Sequence, residues 1–128
     1  MNKTKKMKLK LIFPHILYAK WSIEENSIKE FIKKFGYWSW EKSKPVLKIS
    51  INDSNIFGEQ YSFYLDLDEG DIDCMFFVPY HNKTYKTEYG RCLGEDIFIP
   101  FVCSNSIEIL QESGYSIFRL PVNFVVKP

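Results

Sequence analysis

The amino-acid sequence predicts a single α+β domain, residues 1–128, built on a mostly antiparallel sheet of about five to seven strands. Three observations carry that prediction. Short apolar runs, several alternating with polar residues, recur along the chain between clusters of Gly, Pro, Asn, Asp and Ser. One stripe, Ile28, Phe31, Ile32 and Phe35, has the spacing of a helix with one apolar face. Strand runs joined by short turns, with few helices between them, argue antiparallel pairing with helices packed on it.

Residues 1–6 are expected to be a frayed tail. Met7 to Leu11 alternates at period two and reads as a strand, Pro14 interrupts it, and His15 to Trp21 reads as a second strand. The helix is expected over about 23–35. Ser22-x-x-Glu25 has the form of a capping box, Lys33 and Lys34 suit the negative end of the helix dipole, and Gly36 suits the left-handed position that ends it.

Tyr37 to Trp40 alternates weakly and reads as the start of a strand. Val46 to Ile51 and Tyr61 to Leu67 are alternating strands. Cys74 to Val78 is continuously apolar, which predicts a central strand buried on both faces. Asp68-Glu-Gly-Asp71 between the last two reads as the turn of a hairpin. Residues 79–95, with Pro79, Gly90 and Gly94, read as loop with a short strand, and Ile97 to Cys103 as a strand interrupted by Pro100. Asn105-x-x-Glu108 is expected to cap a short second helix over about 105–113, ended by Gly114. Tyr115 to Leu120 and Val122 to Val126 close the chain as strands.

At 128 residues, 45% apolar and 17% aromatic, the chain is long enough to bury a core without disulfides or metal, and its composition excludes collagen, coiled coil and disordered linker. The net charge of +1 excludes a uniformly basic nucleic-acid binder. It hides an asymmetry. Residues 1–50 carry twelve lysines against four glutamates, whereas residues 51–128 carry five basic and twelve acidic side chains. Such a layout steers charged partners unless the halves lie side by side and neutralise each other.

The lysine-rich start followed by Leu11 to Ala19 has the outline of a signal peptide. The apolar run is short, contains Pro14 and His15, and leads into Lys20 and Trp21 rather than a small-residue cleavage site. No run approaches the ~18 apolar residues of a membrane span. Cys74, Cys92 and Cys103 are odd in number and lie in or beside apolar runs, which suits buried, reduced thiols. The expectation is a cytoplasmic protein.

No motif names a reaction. Asp66 to Asp73 holds five carboxylates in eight residues, but Gly70 falls at position five and Phe77 at position twelve of a calcium loop, where the pattern wants six and a glutamate. The cysteines, 18 and 11 residues apart, lack the paired spacing of a zinc site. Neither metal nor cofactor is expected.

Four clusters are candidates for function. The first is the acidic stretch Asp53, Glu59, Asp66, Asp68, Glu69, Asp71 and Asp73, which reads as a negative surface for a basic protein partner. Trp38, Trp40 and Tyr64 are weaker aromatic candidates for the same interface. The second is the polar stretch 81–91, where His81 as base or acid, Glu88, and Arg91 as cation supply on paper the groups of a small metal-independent ribonuclease. The third is the lysine-rich N-terminal half with Trp38 and Trp40, a stacking platform for single-stranded nucleic acid. The fourth is Cys103, placed just ahead of the expected second helix, whose N-terminus would favour a thiolate.

The first cluster is preferred, which makes the protein a non-catalytic binding module. In size, acidic surface and aromatic content the chain resembles the immunity proteins that neutralise bacterial toxins. That resemblance implies a basic toxin domain, such as a nuclease, as partner; it covers no motif, so it assigns no residues. The alternatives are the ribonuclease centred on His81 and the nucleic-acid-binding module.

Overall fold

The computed structural model describes residues 6–53, 60–78 and 82–110. Eight strands and two helices follow in the order β1 (Lys6–Phe13), β2 (Ile16–Ser22), α1 (Glu25–Phe35), α2 (Tyr37–Lys42), β3 (Lys44–Asp53), β4 (Gln60–Asp66), β5 (Asp73–Phe77), β6 (Lys83–Leu93), β7 (Ile97–Cys103) and β8 (Ile107–Ile109). The α+β class is as expected, with antiparallel pairing throughout and one helix clearly longer than the other. Residues 1–5 of the expected tail and the expected strands beyond 115 lie outside the described residues.

The strands form two sheets. One has the order β1-β2-β5; the other runs β4-β3-β6, with β7 and β8 sharing the far edge of β6. β1 and β2 form a hairpin in which Phe13 faces Ile16 across Pro14 and His15. His15 sits at φ 69, and a proline followed by a positive φ is the pattern of a type II turn. The core lies between the sheets. Leu9, Leu17, Ala19, Trp21, Cys74, Phe76 and Val78 of the first layer meet Leu47, Ile49, Ile51, Tyr85 and Tyr89 of the second. Phe31 of α1 joins the core at one end, 5.8 Å from the Phe101 ring.

Several elements differ from the sequence expectation, each for a physical reason. β4 and β5 are not a hairpin: β4 pairs with β3 and β5 with β2. The connection between them crosses from one sheet to the other and is tied to both. Leu67 N–H donates to the Pro45 carbonyl at 3.1 Å, and Trp21 N–H donates to the Ile72 carbonyl at 3.0 Å. The turn chemistry of Asp68 to Asp71 is real, with Asp71 N–H donating to the Asp68 carbonyl and the Asp71 carboxylate accepting from Asp68 N–H. It turns a corner between layers instead of closing a hairpin. β5 is an edge strand, not a central one: Cys74 and Phe76 point inward, while Phe77 is 48% exposed.

The stretch 79–95, expected as loop with a short strand, holds a long strand instead. It is β6, the longest strand and the middle of the larger sheet, flanked by β3 on one side and by β7 and β8 on the other. Its inward face, Tyr85, Thr87, Tyr89 and Arg91, is buried although half of it is polar. Gly90 is required there. It stands opposite Pro100 at a bulge between β6 and β7, and a Cβ on Gly90 would collide with the Ile99 carbonyl.

The expected second helix at 105–113 is a strand where it is described: Ile107–Ile109 pairs with Lys83, Thr84 and Tyr85. Asn105 does not cap a helix. Its side-chain oxygen accepts from Leu9 N–H at 2.9 Å and its amide donates to the Leu9 carbonyl at 3.0 Å, so it serves as a one-residue strand partner for β1. The second helix is instead Tyr37–Lys42, read from sequence as a strand start. Gly36, at φ 95, ends α1 and lets the chain restart. The restart places the Trp40 ring 5.4 Å from Phe31 and 6.4 Å from Phe101. The capping box is also absent: Ser22 belongs to β2, and Glu24 stands at the N-cap with no side-chain bond.

Gly90→Ala is expected to destabilise the domain by about 2 kcal/mol or more, because overpacking in an interior typically costs 1–3 kcal/mol and here the obstacle is backbone. Chemical denaturation checks it; Gly94→Ala at an open turn, strained only by its φ of 72, is expected to cost less.

Candidate partner-binding surface

The larger sheet turns one face to the core and the other outward. Tyr64 and Asp66 of β4, Val46 and Lys48 of β3, and Glu88 and Cys92 of β6 share the outward register. Phe98 of β7 stands opposite Cys92. The Tyr64 and Phe98 rings meet edge-on at 5.7 Å. Lys48 lies 5.7 Å over the Phe98 ring, with its ammonium 3.9 Å from the Glu88 carboxylate.

Beside this aromatic pair runs an open groove of about 720 Å³, lined among others by Val46, Tyr64, Asp66, Glu95, Asp96 and Phe98. Gly94, at φ 72, makes the turn that brings Glu95 and Asp96 to its rim, where both are exposed. Lys42 and Lys44 also line it, Lys44 standing opposite Cys92 in the sheet. Burial and the nearby Asp66 charge push the Cys92 thiol up, which keeps it protonated and a poor nucleophile.

The acidic turn is held next to this face by one buried cation. The Arg91 side chain is 3% exposed, and its guanidinium meets the Glu69 carboxylate two-pronged at 2.7 and 3.1 Å. Its Nε donates to the Ser43 hydroxyl at 2.7 Å and its Nη2 to the Ser43 carbonyl at 3.1 Å. Its flat face lies 3.9 Å from the Trp40 ring. Ser43 in turn donates to the Trp40 carbonyl at the end of α2. The Arg91 charge holds the Glu69 carboxyl below its ordinary range, chiefly through the hydrogen bonds.

The seven acidic candidates therefore separate. Asp66 and Asp68 are exposed. Glu69 belongs to the Arg91 pair, Asp71 bonds the turn backbone, and Asp73 accepts from the Tyr18 hydroxyl at 2.8 Å. Glu59 and the Asp53 side chain lie outside the described residues. Among the aromatics, Tyr64 is 48% exposed on the groove and Trp38 is 70% exposed on α2, whereas Trp40 is stacked into the Arg91 clamp. Glu95 and Asp96 were missed from sequence because nothing local distinguishes that pair from any solvated turn; the fold across β6 and β7 brings it to Asp66.

The geometry also separates the ribonuclease candidates. Glu88 and Arg91 lie three apart on a strand, so they point to opposite faces: Glu88 outward to Lys48, Arg91 into the clamp. His81 lies outside the described residues. His15 packs its ring nitrogen 2.8 Å from the Val78 carbonyl at the far end of the smaller sheet. Cys103 is followed by Ser104 and then β8, so the helix expected to begin after it is a strand where it is described. Among the described residues no three His, Cys, Asp or Glu converge as metal ligands, and no helix is long and apolar enough to cross a membrane.

A model built on a domain of unknown function matches residues 3–116, which spans every described element of both sheets. The chain belongs to the DUF4912 family. No curated protein and no solved structure matches it. The DUF4912 match includes the Arg91 clamp, the groove and the exposed Trp38, so all of these lie within the family's own domain.

Arg91→Met is expected to cost about 3 kcal/mol, since several charge-assisted hydrogen bonds and a ring stack go together. Glu69→Gln is expected to cost under about 1 kcal/mol, because the amide oxygen still accepts from Arg91, Ser43 keeps its bonds to the guanidinium, and the lost ion pair lies on a mostly exposed carboxylate. Folding lowers the Glu69 pKa, so the unfolded chain takes up more protons on acidification. The stabilisation from this pair is present above the ordinary carboxylate range and is lost as pH falls through the lowered value. Denaturation midpoints against pH check both points: the acid limb of wild type is expected to be steeper than that of Glu69→Gln.

Proposed function

We propose that this DUF4912 chain is a non-catalytic protein-binding module whose outer-sheet groove takes a basic segment of a partner protein. The observation that supports the reading best is the joining of Asp66, Glu95 and Asp96 with the Tyr64 and Phe98 rings along one groove. Carboxylates at an exposed rim speed encounter with a cationic partner, and aromatic side chains beside them supply contact area that slows release. A basic toxin domain neutralised in the cytoplasm is the kind of partner and setting this charge layout fits, in the manner of an immunity protein.

A second reading has one specific observation in its favour. Trp38 is the most exposed large apolar side chain among the described residues, with Lys42 5.4 Å above its ring and Lys33 and Lys34 exposed at the end of the neighbouring helix. Stacked bases with phosphates on those lysines match that surface, which keeps single-stranded nucleic acid as the alternative.

Affinity capture with the tagged full chain from its native cells discriminates the two. The expected result is a stoichiometric protein partner that is lost on combining Asp66→Lys, Glu95→Lys and Asp96→Lys and retained by Trp38→Ala. The purified partner should then associate at least about tenfold more slowly with the reversed variant at low salt. Capture unchanged by the reversal, or RNA co-eluting in a Trp38-dependent way, overturns the groove reading.

A further inference from the structure

Edge strands offer unpaired backbone groups to other strands unless something blocks them. Among the described residues the other edge strands are charged, irregular, interrupted or short. β1 exposes Lys6, Lys8 and Lys10 and has an irregular register between Leu11 and Phe13. β5 has five residues and β8 three. β7 carries Pro100 and lies against the bulge at Gly90.

β4 has none of these defences. Its seven residues, Gln-Tyr-Ser-Phe-Tyr-Leu-Asp, contain no Lys, Pro or Gly and pair with β3 without a break from Asn52–Gln60 to Val46–Asp66. Among the described residues its other edge pairs with no strand. Tyr61 is 46%, Phe63 37% and Tyr64 48% exposed. Tyr61 and Phe63 stand in the register of Ile51 and Ile49, on the core side of the sheet, yet are left open.

We propose that two copies of this chain pair antiparallel through β4 about a two-fold axis at Phe63. In that register Phe63 lies opposite its own copy and Tyr61 opposite Leu65, which continues the apolar stripe across the junction. On the other face Ser62 lies opposite Tyr64, and Gln60 opposite Asp66, an amide facing a carboxylate. No like charges meet, and all seven residues are used. Moving the axis to Ser62 or Tyr64 leaves part of the strand unpaired, and a one-residue slip sets inward side chains against outward ones. The strand is thus complementary to itself, which is what a two-fold interface demands and what selects a second copy over a foreign strand. Because antiparallel pairing keeps each face on its own side, the two grooves of the dimer open in the same direction. The dimer does not depend on the groove reading.

Sedimentation velocity of the full chain over a concentration series tests it. Wild type is expected to run as a dimer that dissociates on dilution. Phe63→Lys sets two ammonium groups against each other across the axis and is expected to give a monomer with an unchanged far-UV circular dichroism spectrum. Phe63→Glu is expected to do the same, and an equimolar mixture of the two to restore the dimer. Ser62→Lys, on the exposed outer face, is a second variant expected to weaken the dimer without touching the core. Wild type monomeric at every concentration, a dimer that survives both Phe63→Lys and Ser62→Lys, or a mixture of folded Phe63 variants that stays monomeric overturns the proposal.

Discussion

The buried guanidinium of Arg91 is the constraint around which much of this fold is arranged. A fixed charge cannot be left unpaired in an interior, and arginine does not shed its proton to escape the penalty. The chain meets the requirement by bringing three separate elements to one point. The end of α2 contributes Ser43 and the Trp40 ring, the corner between the sheets contributes Glu69, and β6 contributes the arginine itself. Each of those elements is weak alone. α2 has six residues, fewer than an isolated helix needs, and the Asp68–Asp71 corner is solvent-exposed turn. Their shared partner gives them fixed positions, and with them the placement of the carboxylates beside β4.

The unequal width of the two layers has its own consequences. Three strands face a sheet whose central path holds four. The smaller sheet covers β3 and β6 well enough to leave Leu47, Ile49 and Tyr85 fully buried. It does not cover the same face of β4, where Tyr61 and Phe63 remain open. Tyr61 and Phe63 thus place exposed apolar area on the same strand that lines the groove through Tyr64 and Asp66, while Trp38 and Phe77 expose apolar area elsewhere. Contiguous exposed apolar surface beside organised charge is where proteins meet other chains. The two functional inferences draw on this one region for different reasons: one on the charge and rings of the outward face, the other on the bare backbone edge.

The division of charge between the halves of the chain also takes spatial form. β1 shows its lysines to solvent at the edge of the smaller sheet, and α1 shows Lys29, Lys33 and Lys34. Asp66, Asp68, Glu95 and Asp96 are exposed at the larger sheet and its turns. The Arg91–Glu69 ion pair, at 2.7 Å, is built wholly from the acidic half and leaves the lysine-rich half uncompensated by it. The lysines of β1 therefore serve a local purpose as well, guarding an edge that an apolar sequence would expose to pairing.

How far the fold was legible depended on whether each signal was local. The alternation of Met7 to Leu11 and Val46 to Ile51, the apolar run of Ile97 to Cys103, and the stripe from Ile28 to Phe35 arise because apolar residues must share a buried face in a strand or helix. Each of those elements is where its pattern placed it, and the α+β class followed from them. Other assignments depended on contacts between distant residues, and there local pattern misled. The stretch 83–93 looked polar because its inward face holds Thr87 and Arg91, which tolerate burial only through partners from Ser104 and from Ser43 and Glu69. Tyr37 to Trp40 alternates like a strand, yet it is helical because Trp40 has Phe31, Phe101 and Arg91 to pack on. Asn105 carries the chemistry of a helix cap, and the backbone of Leu9, 96 residues away, claimed it. The candidate surface divides the same way. The sequence alone determined an acidic second half and an alternating strand from Tyr61 to Leu67. Tertiary structure decided that Glu69 and Asp73 are bound within the fold, that Glu95 and Asp96 join Asp66, and that β4 is an edge strand with no second partner among the described residues, because a side chain's availability depends on what the folded chain places against it.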